Sequence, residues 1–207
     1  KAMDKSGIKN LIFTSSVAIY GLNKINPAEN YPENPFNHYG KSKWKAEKVI
    51  KEWFEINSVG KSVTILRPTV IFGEKYRGNV FNLLKSIAAG KFLMIGKGNN
   101  MKSMAYVGNI VSFIKNQIDN SKEGMIIYNY VDKPDISMSN LVKIVENNLF
   151  IKVPSINIPI FMGYIFGFLA DGFSFITKRK LNISFIRIKK FISTTQFDAS
   201  KVHSSGW

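Results

Sequence analysis

The sequence predicts an α/β protein with a parallel sheet, and two patterns indicate this. Short apolar runs rich in β-branched residues, at 11–14, 63–66 and 125–131, have the length and composition of buried strands. Segments with helical spacing of apolar residues follow them, at 44–56, 79–89 and 109–118. Strands that alternate with helices in this order are typical of parallel sheets with helical crossovers.

A tyrosine and a lysine four residues apart are the chemically most informative feature. Tyr39 and Lys43 stand at the start of a predicted helix, where this spacing places both on one face. An ammonium beside a phenol favours the phenolate, and such a phenol can exchange a proton with a sugar hydroxyl. Tyr20 and Lys24 have the same spacing, but they lead into a loop with three prolines and no helical continuation follows. We therefore prefer Tyr39 and Lys43.

Further motifs surround this pair and together resemble one enzyme family. They are SSVAIYG at 15–21, YGKSK at 39–43, LRPTVIFG at 66–73, GKFLMIG at 90–96 and SMAYV at 103–107. The set resembles the extended short-chain dehydrogenase/reductase family, in particular its nucleotide-sugar epimerases, dehydratases and 4-ketoreductases. The resemblance covers most of the chain.

The resemblance implies roles for residues of the catalytic centre. Tyr39 would move a proton at the C4 oxygen of a sugar, Lys43 would tune Tyr39 and hold the cofactor ribose, and Ser16 would hydrogen-bond the reacting oxygen. Pro68 and Val70 would line the cofactor, which is NAD or NADP. Many relatives carry Asn where Val70 stands, so the substrate pose is expected to differ here.

The substrate implied by the resemblance is a nucleotide-diphosphate sugar, used for bacterial surface polysaccharide precursors. Arg77 and Asn79 stand at the start of a predicted helix, where the amides favour an anion. Lys102 stands where relatives often carry a phosphate-binding Arg, and Arg187 lies in a region from which relatives contact nucleotide phosphates. These four residues are the predicted substrate-binding set.

The resemblance also implies two domains. Residues 1–73, with 109–131 returning to the sheet, would form part of a Rossmann-like dinucleotide-binding domain. Residues 74–108 and 132–207 would form a smaller mixed α/β substrate-binding lobe. The family's glycine-rich phosphate turn has no counterpart in the sequence. We therefore expect this to be the larger part of a longer protein, and the chain alone to bind cofactor poorly.

Composition excludes several other classes. The net charge of +15 invites a nucleic-acid interpretation, but 25 of the 29 basic residues are Lys, scattered along the chain, whereas base-reading surfaces favour Arg. Attraction of a diphosphate is the better explanation, so no nucleic-acid partner is predicted. The absence of Cys and the presence of only two His argue against a metal site and suit a cytoplasmic enzyme.

One long apolar segment, residues 156–176, raises the question of a membrane. An early proline, an aspartate and three glycines favour a buried or interfacial helix broken near Gly172 rather than a span. The basic residues at 178–180 would suit anionic headgroups, so peripheral contact through 156–180 at the cytoplasmic face stays open. A homodimer is expected for the full-length protein.

Three alternatives stay open at this point. The motifs do not separate epimerase, dehydratase and 4-ketoreductase, because these activities share the same residues. A hydroxysteroid-type dehydrogenase of the same superfamily is also compatible with LRPTVIFG. A non-catalytic fragment, unable to hold cofactor alone, is the third.

Overall fold

The computed structural model describes residues 2–75, 77–179, 181 and 183–207, so Lys180 of the basic cluster lies outside the described residues. The strands are β1 (Asn10–Thr14), β2 (Ser62–Pro68), β3 (Val70–Phe72), β4 (Met94–Ile95), β5 (Met101–Tyr106), β6 (Gly124–Tyr130), β7 (Asp132–Ser137) and β8 (Asn157–Ile158). The α-helices are α1 (Ala2–Lys5), α2 (His38–Ile56), α3 (Asn79–Ala88), α4 (Val107–Asp119), α5 (Met138–Leu149), α6 (Ile160–Thr177), α7 (Phe185–Ile192) and α8 (Ser200–His203). A short 3-10 helix covers Val17–Tyr20.

A parallel sheet organises the first of two compact units, which contains the described residues within 1–76, 103–134 and 196–207. Its strand order is β1-β2-β6, and both pairings are parallel. Thr14 pairs with Leu66, and Pro68 pairs with Tyr130. The central strand β2 is buried from Val63 to Pro68, as expected for a strand covered on both faces. The predicted α/β class with a parallel sheet is confirmed.

The core of this unit is aromatic. Phe113 of α4 packs edge-on against Tyr128 and also contacts Tyr130 of β6, with ring centroids 5.2 and 5.4 Å away. The ring of Trp207 lies 5.5 Å from that of Phe113. Val202 of α8 belongs to the same buried cluster. The last twelve residues are therefore part of the sheet-containing unit.

The position of the last twelve residues differs from the predicted domain boundaries, which placed residues 132–207 together in the substrate lobe. Residues 103–108, 132–134 and 196–207 fall in the first unit, because β5 pairs with β3 and because Ala199 and Val202 are buried in the cores of that unit. The assignment of a cofactor role to one unit and a substrate role to the other stays a prediction.

The second unit contains the described residues within 77–102 and 135–195. Helix α3 packs against α5, α6 packs against α7, and β4 pairs in parallel with β8. Ser137 caps α5 by accepting a hydrogen bond from the Asn140 amide. The predicted break near Gly172 is wrong, because α6 continues to Thr177.

Candidate active site

The end of β1 presents two serines that have different contacts. The Ser15 amide donates to the Leu66 carbonyl over 2.6 Å and so extends the pairing with β2 by one residue. The Ser15 hydroxyl donates to the Glu47 carboxylate. The Ser16 hydroxyl accepts the Ala18 amide over 3.2 Å and caps the 3-10 helix. Within the described part of the chain, the Ser16 hydroxyl hydrogen has no acceptor.

Helix α2 begins beside this strand end because its first turn is held there. Asn37 caps it by accepting the Gly40 amide over 2.7 Å. Gly40 is buried, and a Cβ built on it would lie 2.5 Å from the Ala18 carbonyl oxygen and 3.1 Å from Pro35 Cβ. A side chain at this position would push the helix away from the 3-10 helix. Glycine therefore fixes where Tyr39, its neighbour, projects.

Tyr39 and Lys43 lie next to each other on α2. The Lys43 ammonium is 5.9 Å from the centroid of the Tyr39 ring and 5.1 Å from that of Phe13. It donates to the Thr14 carbonyl over 2.8 Å, which anchors it at the end of β1. Tyr39 itself is 54% exposed. The two side chains therefore lie on one face of the helix, as the four-residue spacing predicted.

A buried ion pair underlies this surface. Arg67 of β2 is fully buried, and its Nε and Nη2 donate to the two carboxylate oxygens of Glu47 over 3.0 and 2.6 Å. Glu47 lies one helical turn beyond Lys43 and is also buried. The pair therefore ties α2 to the central strand, with Ser15 as a third member.

The network continues into the proline-containing loop and β6. Arg67 Nη1 donates to the Tyr20 hydroxyl over 2.6 Å and to the Glu29 carbonyl over 2.9 Å, and the Tyr20 hydroxyl donates to Asn129 Oδ1. Burial raises the pKa of Tyr20 to about 12, although Arg67 acts in the opposite direction. Burial alone would lower the pKa of Arg67, but its partners Glu47 and Tyr20 outweigh that effect and raise it. Arg67 therefore stays a guanidinium and Tyr20 a neutral phenol. Tyr20, with Lys24, was the alternative match, and its burial in this network agrees with our preference for Tyr39.

The sequence did not indicate the network as part of the site. A charged residue directly after the apolar run 63–66 was the available signal for Arg67, because an unpaired charge in a buried strand is too costly. Its partner Glu47 is 20 residues away along the chain, and no local pattern identifies it.

The segment after β2 contains the predicted cofactor wall. Pro68 is buried at the end of β2, and Val70 is partly exposed at the start of β3, where it pairs with Met104. Between them, Thr69 is buried and its amide donates to the Tyr130 carbonyl. Thr69 Oγ1 is buried without a hydrogen-bond partner among the described residues. A buried polar atom of this kind requires a partner that the described residues do not supply, such as an ordered water, an ion or a ligand group.

The four predicted substrate residues belong to the second unit and have different surroundings. Arg77 and Asn79 are exposed at the start of α3, where Gly78 provides no side-chain cap for the first amides. Lys102 is mostly buried and donates to the carbonyls of Lys190 and Ser193 at the end of α7, over 3.0 and 2.5 Å. Arg187 is exposed in the first turn of α7.

Lys102 thus has a structural partner in addition to its predicted role. Its burial lowers its pKa to about 8. Its ammonium bonds the last carbonyls of α7, which is a favourable place for a cation. Its contact with a substrate phosphate stays a prediction.

The strands of the parallel sheet lead to a serine and to a helix that carries a tyrosine–lysine pair. This combination defines a class of dinucleotide-dependent enzymes. A family model, the NAD dependent epimerase/dehydratase family, matches residues 1–129. The chain belongs to this family, and the resemblance predicted from the motifs is confirmed.

Two curated relatives extend this comparison. The chain is 60% identical over 206 residues to an N-acetyl-alpha-D-glucosaminyl-diphospho-ditrans,octacis-undecaprenol 4-epimerase of Escherichia coli O157:H7, covering 100% of this chain and 62% of the relative. It is 29% identical over 142 residues to a UDP-glucose 4-epimerase of Vibrio cholerae, covering 67% and 43%. The chain therefore spans less than two thirds of the length of either relative.

Solved structures show the same fold. A UDP-glucose 4-epimerase from Thermotoga maritima aligns with a TM-score of 0.68 at 19% identity, covering 99% of this chain and 60% of that one. A UDP-N-acetylglucosamine 4-epimerase from Methanobrevibacter ruminantium aligns with a TM-score of 0.62 at 23% identity, covering 76% and 51%.

The residues of the first unit fit an NAD-type cofactor. The one hydrogen bond of the Lys43 ammonium in the described part of the chain goes to Thr14, so two of its three donors are available for ribose hydroxyls. The unpartnered Thr69 hydroxyl offers a further polar contact beside the buried Pro68.

Proposed function

We propose that the protein carrying this chain is an NAD(P)-dependent 4-epimerase of a diphosphate-linked sugar that serves as a precursor of bacterial surface polysaccharide. The observation that carries the proposal is the Tyr39–Lys43 pair, with the Lys43 ammonium anchored on Thr14 at the end of the strand that leads to Ser16. The 60% identical relative, which is named a 4-epimerase, supports epimerisation over dehydration or reduction. The relatives do not favour the hydroxysteroid-type alternative.

Each residue of the catalytic set has one task. Tyr39 removes the proton from the C4 hydroxyl and returns one to the C4 oxygen after the sugar presents its other face. Ser16 donates its unused hydroxyl hydrogen to the same oxygen, and the Lys43 ammonium lies beside the Tyr39 ring. When bound, the nicotinamide supplies the hydride acceptor and donor for C4.

Tyr39, Lys43, Pro68 and Val70 are the cofactor-binding set of this proposal. Lys43 would hold the ribose hydroxyls, and Pro68 and Val70 would line the nicotinamide. Both NAD and NADP are compatible with these four residues, because none of them is proposed to contact the 2′ position of the adenosine ribose, where NADP carries its additional phosphate.

The substrate proposed first is N-acetylglucosamine carried on undecaprenyl diphosphate, which is the substrate in the name of the 60% identical relative. Arg77, Asn79, Lys102 and Arg187 are proposed to bind its diphosphate. A UDP-sugar is the second candidate, supported by the UDP-glucose 4-epimerase from Vibrio cholerae. Both substrates place a diphosphate on the sugar and differ in the group beyond it.

The exposure of α6 supports a lipid-linked substrate. This helix is long and apolar enough to cross a membrane by length and composition, and only 11% of it is buried. Phe168 and Phe175 are 73% and 87% exposed. The next fifteen residues, 178–192, contain six basic and no acidic side chains. We propose that 156–180 contacts the cytoplasmic face of an anionic membrane in the homodimeric protein.

A substrate panel with a Tyr39→Phe variant tests the function. The full-length protein should interconvert N-acetylglucosamine and N-acetylgalactosamine on the preferred carrier, and Tyr39→Phe should lower kcat about 100-fold or more. Tyr31→Phe, which also removes one phenol oxygen, is the matched control and should retain activity. Turnover of neither carrier by the wild type, or full activity in Tyr39→Phe, would refute the proposal. Titration of the 207-residue chain with NAD, beside the full-length protein, tests the non-catalytic alternative.

A further inference from the structure

The second unit contains an apolar cavity of about 450 Å³ beneath α6. Its lining comprises eight residues, all apolar or glycine, from β4, β8, α6, α7 and the segment between the two helices. Ile95 and Ile158 form one wall, Phe166 and Ala170 of α6 another, and Ile188 of α7 a third. The volume lies in the range of small-molecule binding sites.

Two glycines hold α6 so close to its neighbours that the cavity has fixed walls. A Cβ on Gly163 would lie 2.8 Å from Ile95 Cγ2, and a Cβ on Gly167 would lie 2.8 Å from Phe185 Cα. The Asp171 carboxylate accepts the Phe185 amide over 3.0 Å, one turn further along the same face. The α6 side of the cavity is therefore held by close packing, whereas Ile183 on the segment between the helices is exposed.

Cations adjoin this apolar space along the chain. Ile188, which lines the cavity, stands between Arg187 and Lys189 on α7, and Leu181, another lining residue, follows Lys178 and Arg179 closely. An apolar cavity beside a basic helix matches a ligand in which a hydrocarbon chain is joined to a diphosphate. A UDP-sugar has no hydrocarbon chain to fill such a cavity.

We infer that this cavity binds the part of the isoprenoid chain nearest the diphosphate in a lipid-linked sugar substrate. The inference rests on the proposed function, because it names the carrier that the enzyme selects. Charge complementarity selects this occupant over a second copy of the chain, since residues 160–192 contain six basic residues and one acidic residue, so two copies that met through this segment would repel each other there, whereas a dimer formed through another surface would not be affected. Burial of the chain would supply affinity that a UDP-sugar cannot obtain here.

Filling the cavity tests the inference. Ala170→Phe places a ring where Ala170 lines the cavity, and Ala88→Phe, at the exposed end of α3 in the same unit, is the matched control. Binding to the full-length protein is measured with farnesyl diphosphate carrying a fluorophore. We expect Ala170→Phe to weaken this binding about tenfold or more and Ala88→Phe to leave it unchanged. The affinity for labelled UDP, measured by its displacement with unlabelled UDP, should be the same in both variants.

A second variant keeps the test valid if Ala170→Phe unfolds the protein. Ile183 lines the cavity and is exposed at its rim, so Ile183→Gln should fold normally and weaken farnesyl diphosphate binding in the same direction. Equal binding by wild type and both variants would overturn the inference. The inference would also be overturned if the variants lost binding to phosphatidylglycerol vesicles to the same extent as binding to farnesyl diphosphate, because the cavity would then accept any lipid chain. A dimer dissociated by Ala170→Phe would show that a second copy covers the cavity.

The enzymatic readout separates the two proposals. If the wild type converts the undecaprenyl-linked sugar, the KM of Ala170→Phe should rise for that substrate alone, relative to a UDP-sugar. If Ala170→Phe converts this substrate with an unchanged KM, the inference that the cavity binds the isoprenoid chain is refuted, and the proposed epimerase activity is unaffected. If the wild type binds farnesyl diphosphate but converts no sugar, the proposed epimerase activity is refuted, and the inference about the cavity is unaffected.

Discussion

Removing one partner of the buried Arg67–Glu47 pair should destabilise the protein more than any surface substitution. Arg67→Met leaves the Glu47 carboxylate buried with the Ser15 hydroxyl as its remaining partner, and it removes the donor to Tyr20 and to the Glu29 carbonyl. Loss of one member of a buried ion pair costs about 3–5 kcal/mol. We expect Glu47→Leu to cost a similar amount, because it removes the two shorter carboxylate contacts of the buried guanidinium, which keeps a contact of 3.4 Å to the Glu33 carboxylate.

The double variant separates the cost of an uncompensated buried charge from the cost of lost packing. In Glu47→Leu/Arg67→Met neither charge is left uncompensated, so its loss of unfolding free energy should be smaller than the sum of the single losses by about 3 kcal/mol. Urea denaturation followed by tryptophan fluorescence reports on α2 directly, since Trp44 and Trp53 both lie on it. Lys45→Met, on the exposed side of α2, is the control and should change stability by less than about 0.5 kcal/mol.

Two results would refute this reasoning. Single losses below about 1 kcal/mol would mean that the pair is hydrated in solution, because an exposed ion pair contributes only that much. Single losses that add in the double variant would mean that Arg67 and Glu47 do not interact, whatever their separate costs.

Three further substitutions test particular contacts. Gly40→Ala should lower the free energy of unfolding by about 1–3 kcal/mol, because its Cβ would lie 2.5 Å from the Ala18 carbonyl; a thermal melt of both proteins measures this, and an unchanged Tm would contradict the close approach. Thr69→Val should raise the unfolding free energy of the cofactor-free protein by about 1 kcal/mol, since it removes a buried hydroxyl without a partner; a loss of stability in urea would show that the hydroxyl is bonded. Burial lowers the pKa of Lys102 to about 8, so the unfolded chain binds more protons between pH 8 and 10.5 and stability should rise with pH in that window. The rise is at most about 3 kcal/mol, and Lys102→Met should lack it when unfolding curves are compared across the same pH range; equal pH profiles for the two proteins would refute it.

The local part of the site could be predicted from sequence because short-range physics determines it. The four-residue spacing placed Tyr39 and Lys43 on one helical face, and the apolar run before Ser15 predicted the strand that ends there. Asn37, two residues before Tyr39, has the side chain and position of an N-cap. Each of these relations involves residues within one or two turns of each other.

The supporting network could not be predicted because its members meet only through the sheet topology. Tyr20 and Asn129 are 109 residues apart, and their hydrogen bond depends on β6 lying next to β2. The C-terminal segment is a similar case, since the burial of Val202 depends on the same strand. A motif search identifies the reacting groups, whereas their support comes from whichever strands become neighbours.

Helix α6 shows why hydropathy alone left its environment open. Its apolar composition was evident, but a core helix and an interfacial helix share that composition. The expected break at Gly172 did not occur, because a single glycine costs a helix about 1 kcal/mol and no neighbouring atom crowds this one. What decides the environment is which side faces inward: Gly163 and Gly167 are buried, while Phe168 and Phe175 point outward. A helix of a water-soluble protein buries its aromatic side and exposes small or polar residues. The reversed arrangement of α6 is compatible with the membrane contact proposed above, because small residues allow close helix packing and large apolar side chains would meet hydrocarbon rather than water.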